Sequence, residues 1–142
     1  MGAGIKYDEV EVGTELPSQS VELPRLRLVM YAGASGDFNV IHWNERIAKS
    51  VGLPDVIAHG MLTLAVALRA VTDWSGDASA VVDCGGRFAK PVVVPDDDKG
   101  VELVVEGVVA ELLADRRVRV ELTVRCGGEK VLTRTRAVVA LG

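Results

Sequence analysis

Residues 60–74 read GMLTLAVALRAVTDW. Apolar side chains fall on every face of the helical repeat rather than along one stripe, and Ala65, Ala67 and Ala70 keep the rod slim. A helix that is apolar nearly all round must be buried by something that wraps it. The run is shorter than the ~20 residues a membrane span requires, and Arg69 and Asp73 interrupt it. It predicts a central helix over 60–74 in a soluble chain, so the fold turns on what surrounds that helix.

Beyond Gly76 the rhythm changes. RVRVELTVR, residues 117–125, sets Val118, Val120, Leu122 and Val124 in strict alternation with charged or polar neighbours, the pattern of a half-buried strand. Gly127-Gly128 predicts a hairpin turn into KVLTRTRAVVAL, residues 130–141, where Arg134 and Arg136 share one face. VELVVEGVVAELL, residues 101–113, is a third strand-rich run, with a bulge or bend expected at Gly107. AVVDCGGRFAKPVVVP, residues 80–95, supplies another, kinked at Gly85-Gly86, and PDDDKG at 95–100 reads as an exposed turn. Strands gathered on the C-terminal side of an apolar helix predict an α+β fold with an antiparallel sheet. No βαβ alternation, internal repeat or linker interrupts the chain, which predicts one domain over 1–142.

On the N-terminal side of the central helix the pattern is helical and broken by loops. PRLRLVMYAGAS, residues 24–35, opens on a proline suited to a first turn and ends in small residues. A second short helix has Asn44 as N-cap, Glu45 in its first turn, Gly52 at its stop and Pro54 beyond. Between them lies ASGDFNVIHWN, residues 34–44, which gathers an acid, two amides and one of the chain's two histidines. Asp37 and His42 are five residues apart, so neither a helix nor a strand aims both at one point. An irregular loop can, and Gly36 and Asn39 supply the backbone freedom for one. A carboxylate and an imidazole held together form an acid–base unit able to position and activate a water. A capping acid beside a core histidine is the bland alternative.

His59 and Gly60 open the central helix, where the first N–H groups have no partner within the helix and carry partial positive charge. Gly60 allows an oxygen to approach closely, and its amide suits an oxyanion or a carbonyl oxygen. His59 is expected to cap the helix or pack beneath it.

Composition limits the remaining classes. The chain has 142 residues, 49% of them apolar, with two each of Trp, Tyr and Phe, so the core rests on Val, Leu and Ala. A net charge of -4 gives no electrostatic support to nucleic-acid or anionic-membrane binding. Cys84 and Cys126 form no C-x-x-C motif and are expected as free thiols. The N-terminal MGAGIKYDEVEVG lacks an apolar h-region, and Lys6 breaks the myristoylation pattern after Met-Gly; a cytoplasmic location is expected. There is no G-x-S-x-G, Walker A, dinucleotide fingerprint or H-E-x-x-H. Two histidines and scattered acids make no metal set, and neither a metal nor another cofactor is expected. Seven Arg or Lys stand against two Glu over 116–136. That stretch reads as the solvated face of two strands, with a rim able to meet an anionic ligand.

YAGASGDFNVIHWNERIA, residues 31–48, resembles the hydratase signature of MaoC-like, (R)-specific enoyl-thioester hydratases and dehydratases. Tyr31, Gly36, Asp37, Asn39, Ile41, His42 and Ala48 fill the signature's places, while Val40 stands where the family usually has Pro. IAHGMLT at 57–63 resembles the family's helix-opening segment and RFAKPVVVP at 87–95 its strand after the helix. The similarity is closest to the catalytic subunit of two-subunit (3R)-hydroxyacyl-carrier-protein dehydratases.

The resemblance implies a hot-dog fold, a curved antiparallel sheet wrapped around one long helix. It implies a homodimer, or a heterodimer with a related hot-dog subunit, acting on acyl-CoA or acyl-carrier-protein thioesters in fatty acid metabolism, with no nucleic-acid or membrane partner. Asp37 and His42 are then the catalytic pair and the Gly60 amide the oxyanion donor, with Tyr31, Asn39, Ile41, His59 and Met61 in the substrate site. The reaction implied is reversible hydration of trans-2-enoyl thioesters to (3R)-3-hydroxyacyl thioesters. A hot-dog thioesterase and a non-catalytic acyl-binding subunit are the alternatives. The first usually draws its acid from on or near the central helix, and this helix offers only Asp73 near its far end; the second would be expected to lack the acid–base pair.

Overall fold

The computed structural model describes residues 4–142, so the Met-Gly reading falls outside the described residues. Strand β1 (Gln19–Leu23) leads into helices α1 (Arg25–Ser35), α2 (Glu45–Ser50) and α3 (Gly60–Ser75), and β2 (Val81–Phe88), β3 (Val101–Leu113), β4 (Arg117–Cys126), β5 (Glu129–Lys130) and β6 (Leu132–Ala140) follow. The sheet runs β1-β3-β4-β6-β2, with β5 paired to β4, and every pairing is antiparallel. β1 is an element the sequence pattern did not reveal. Its residues are too few and too mixed to show alternation, and pairing with β3 from Gln19↔Val105 to Leu23↔Val101 defines it.

α3 packs on β2, β3, β4 and β6. Leu62, Leu64, Val66, Ala67, Ala70 and Val71 meet the inward residues of the sheet, among them Val105, Val109, Val118, Val120, Val124, Ala137 and Val139. The α+β antiparallel arrangement and the helix on the sheet agree with the hot-dog expectation. The burial of α3 is not all round, however. Met61, Ala65, Arg69 and Asp73, four residues apart, form one exposed stripe, because the sheet covers only the opposite faces of the helix.

The turns follow their residues. α1 ends at Gly36, which is left-handed at φ 76°, and α2 is capped by Asn44, whose side chain accepts the Ile47 N–H. Gly127 and Gly128, at φ 58° and 81°, form the tight turn that sets Cys126 against Glu129. Gly107 differs from expectation. It pairs regularly with Leu122, and the register shift in this hairpin lies between Val109 and Glu111. Gly107 is small because Leu16 and Leu122 pack against it, with a Cβ there meeting their methyls at 3.1 and 3.0 Å. The kink at Gly85-Gly86 is present as a register shift between Gly85 and Arg87. Residues 89–95 do not continue that strand; they carry one isolated bridge, Val93 to Ile57, which ties them to the segment before α3. No helix among the described residues is long and apolar enough to cross a membrane.

Candidate active site

The loop after α1 is wound by its own polar side chains. The Asp37 carboxylate accepts the Asn39 N–H at 3.1 Å, and the Asn39 amide oxygen accepts the Ile41 N–H at 3.3 Å. These two side-chain turns lead the chain into a 3₁₀ turn over Val40–His42. On the outer side the Trp43 indole N–H donates to the Phe38 carbonyl at 3.0 Å. The result is the folded loop that the five-residue spacing required: Asp37 stays exposed while His42 turns inward and is buried.

His42 is fixed by a backbone carbonyl. Its Nδ1 lies 2.7 Å from the Ile57 oxygen. A carbonyl can only accept, so Nδ1 carries the proton and neutral His42 keeps a free lone pair on Nε2. The Ile57 segment is itself anchored. Ile57 N–H donates to the Ile41 carbonyl at 3.2 Å, and Val94 N–H to the Val56 carbonyl at 2.9 Å. Arg25, from the first turn of α1, pairs with Asp55 at 2.9 Å and donates through Nε to the Val94 carbonyl at 2.6 Å.

His59 lies behind this pair. It occupies the N-cap position of α3 but makes no side-chain capping bond, so of the two roles expected it packs rather than caps. Its Nε2–H donates to the Asp37 carbonyl at 3.1 Å. Its ring stacks on His42, with centroids 3.8 Å apart and planes at 25°, and the Tyr31 ring meets it edge-on at 4.7 Å. Only 1% of His59 is exposed, and its Nδ1 has no hydrogen-bond partner among the described residues. Burial pushes the His59 imidazole below its ordinary value, against the opposing pull of the Asp37 carbonyl and with a smaller downward push from His42. The group is neutral in the folded chain at neutral pH.

Asp37, His42 and His59 can each offer one donor atom within 4.8 Å of the others. As a metal cage the set is poorly shaped. The imidazole lone pairs lie in ring planes that are stacked rather than convergent. As a proton-transfer unit it is well shaped: an exposed carboxylate beside a tautomer-fixed imidazole, with a neutral ring stacked beneath.

A cleft of about 290 Å³ adjoins the unit, lined by His42, Gly60, Thr63, Phe88, Val92 and Leu132 among others. Gly60 opens α3 at its wall, and a Cβ there would lie 2.9 Å from the Phe88 ring, so only glycine leaves that amide beneath the ring. Of the other residues expected at the site, Tyr31 supports His59, Asn39 spends its amide oxygen on the loop, and Ile41 is half-buried beneath it. Met61 is 57% exposed on the open stripe of α3. Phe88 and the Ile57 carbonyl are contributions the residue pattern did not single out. Phe88 could have been suspected as an aromatic at a strand end, whereas a backbone carbonyl has no signature in sequence.

Residues 9–126 match the family described as MaoC like domain. Over 79 residues the chain is 40% identical to the 3-hydroxyacyl-thioester dehydratase X of Mycobacterium tuberculosis, a match taking in 56% of this chain and 27% of that protein. It thus spans about a quarter of that relative's length. It is 33% identical over 129 residues to the 3-hydroxybutyryl-CoA dehydratase of Methylorubrum extorquens, covering 89% of this chain and 78% of that one. The unliganded R-hydratase PhaJ1 of Pseudomonas aeruginosa superimposes with a TM-score of 0.83 at 28% identity, over 97% of this chain and 86% of that one. By sequence match and by fold, the chain belongs to the MaoC-like domain family.

Proposed function

We propose that the protein catalyses reversible addition of water to a trans-2-enoyl thioester, giving the (3R)-3-hydroxyacyl thioester, with Asp37 and His42 holding the water between them. The observation that carries this reading is the His42 Nδ1–H bond to the Ile57 carbonyl, which leaves Nε2 as an acceptor beside a second acceptor, the Asp37 carboxylate. A water between two acceptors donates to both and presents an oxygen lone pair outward. As that oxygen bonds to C3 of the enoyl group, one of the pair takes a water proton and the C2=C3 electrons move toward the thioester oxygen. The Gly60 N–H, at the positive end of α3, stabilises that oxyanion. The protonated member of the pair then delivers its proton to C2, so water has added and the pair is restored.

The relatives named as dehydratases and as an R-hydratase support the reaction class and its (R) outcome. β2 lies at one edge of the sheet, and pairing there with a second copy or a related hot-dog subunit is part of the reading, because it would cover the unpaired edge. The test is the purified chain, alone and with a candidate partner subunit, incubated with crotonyl-CoA and with a (3R)-3-hydroxyacyl thioester. Loss of enoyl absorbance in the first and its appearance in the second are expected. Release of free thiol without hydration would identify a thioesterase, and inactivity in every combination would leave a binding subunit.

A further inference from the structure

His59 is a buried, titratable ring that the proposed reaction does not use. Its main chain is fixed on both sides. Ala58 N–H donates to the Val92 carbonyl at 2.8 Å, and the His59 carbonyl accepts the Thr63 N–H at 3.1 Å in the first turn of α3. From that base the ring donates through Nε2–H to the Asp37 carbonyl at 3.1 Å. It also stacks on His42 at 3.8 Å between centroids, and Tyr31 closes against it edge-on. The next residue along the chain is Gly60.

These contacts join parts of the site that local structure does not. Side-chain bonds within the loop aim the Asp37 carboxylate. From Gly36 to Val40, every other hydrogen bond among the described residues stays within the loop or its adjoining turns. The bond from His59 is the one that ties the Asp37 main chain to the start of α3. His42, whose Nδ1 is held by the Ile57 carbonyl, lies against the same ring.

Packing alone does not account for a histidine at this position. With the proton on Nε2, the His59 Nδ1 is a buried acceptor without a partner among the described residues, and a ring kept only for its shape gains nothing from that. A phenyl group would fill the space and stack on His42, but it has no N–H for the Asp37 carbonyl. A glutamine could supply the N–H but no flat ring. At this size an imidazole alone offers both.

We propose that His59 is a positioning residue that sets the span between the Asp37 carboxylate and the His42 imidazole and holds both against the start of α3. The proposal rests on the hydratase reading above. His59 transfers no proton and touches no substrate; its effect passes through Asp37 and His42. Two groups that share one water tolerate little change in separation, since a misplacement of about 1 Å can cost on the order of 10²-fold in rate.

The test follows crotonyl-CoA hydration in variants that separate the two contacts. His59→Phe keeps the stack and loses the donor, His59→Gln keeps a donor and loses the ring, and His59→Leu keeps neither. Relative to the unaltered chain, kcat should fall about tenfold in each of the first two and about 100-fold in the third, with KM changed less than about twofold. The deciding step is a cycle with Asp37→Asn. In that background His59→Phe should lower kcat by less than about twofold further, because no carboxylate is left to position, while its effect on the thermal midpoint persists. The same loss of rate in both backgrounds overturns the proposal, as does full kcat in His59→Phe or a loss confined to KM. If the unaltered chain, alone and with a partner subunit, does not hydrate crotonyl-CoA, the hydratase reading fails, and amide exchange judges the positioning by itself. Exchange at Asn39, whose N–H the Asp37 carboxylate accepts, should then quicken about tenfold in His59→Phe, with that at Ile57 unchanged. Unchanged exchange at Asn39, or equal quickening at both residues, overturns the proposal.

Discussion

His42 is 8% exposed and fixed through Nδ1 to the carbonyl of a segment that is itself anchored by Arg25, Asp55 and Val94. Asp37, its partner, lies on an exposed turn, with its carboxylate engaged by the Asn39 N–H. One half of the pair is positioned by the core and the other by local hydrogen bonds within its own loop. The contrast suits the proposed chemistry, since the imidazole needs a fixed tautomer and the carboxylate needs access to water. It also implies that the two halves fail differently when altered.

The largest effect separates them. Asp37→Asn keeps an oxygen for the Asn39 N–H, so the loop should persist while the carboxylate is lost. Turnover is expected to drop by about 10²–10⁴-fold, with the thermal midpoint nearly unchanged. His42→Ala should cost as much in rate and also destabilise by about 1–3 kcal/mol, because it leaves the Ile57 carbonyl without its donor and opens space in the stack. Thermal unfolding measured beside crotonyl-CoA hydration gives both quantities. Equal destabilisation by the two substitutions would break the comparison.

Gly60→Ala tests the wall of the cleft that His42 also lines. The added methyl would meet the Phe88 ring at 2.9 Å, so the ring must move away from the helix start. Alanine is well tolerated in a helix, so stability should hold while kcat/KM falls by up to about 10²-fold. A variant with full activity would remove the close approach at Gly60 from the mechanism.

His59→Phe keeps a ring against His42 and Tyr31 but removes the donor to the Asp37 carbonyl, and is expected to cost about 1–2 kcal/mol. Its pH dependence is more telling. The imidazole sits below its ordinary value in the folded chain, chiefly through burial, so the unfolded chain binds more protons in the window between the folded value and about 6.5. Stability from this group is full above that window and is lost as pH falls through it. The thermal midpoint of the unaltered chain should therefore decline on acidification below about pH 6.5 more steeply than that of His59→Phe. Parallel curves would show that His59 is not held neutral by its surroundings.

The legible part of the molecule was the part governed by periodicity and turn chemistry. The inward valines of β4, the Gly127-Gly128 turn and the Asn44 cap follow from side-chain pattern alone, and so does the need for a loop between Asp37 and His42. β1 was not legible, because a five-residue edge strand is defined by its neighbour β3. The exposed stripe of α3 was hidden for a related reason: Met61 and Ala65 read as core until the sheet's coverage is known. At the site, the residues that act through side chains stood out. The Ile57 carbonyl that fixes the tautomer of His42, and the stacking of one histidine on the other, depend on which segments meet.

The smallest effect concerns Val40, the position where proline is usual in the family. Val40 is the first residue of the 3₁₀ turn, and Asn39 before it has φ -56° and ψ 127°. That extended geometry is what a residue preceding proline adopts, and the first position of a helical turn accepts proline because its N–H has no partner within the turn. Val40→Pro should therefore fit without rearrangement and stabilise by about 0.4–1 kcal/mol through the unfolded chain. Because His42 is already held by the core, the gain should fall on the Asp37 side of the pair. Amide exchange at Asn39 and Ile41 should slow, with that of Ala58 and Thr63 unchanged and kcat altered less than twofold. If the substitution instead lowers the thermal midpoint, the loop does not have proline-ready geometry in solution, and its local hydrogen bonds set Asp37 in a different way.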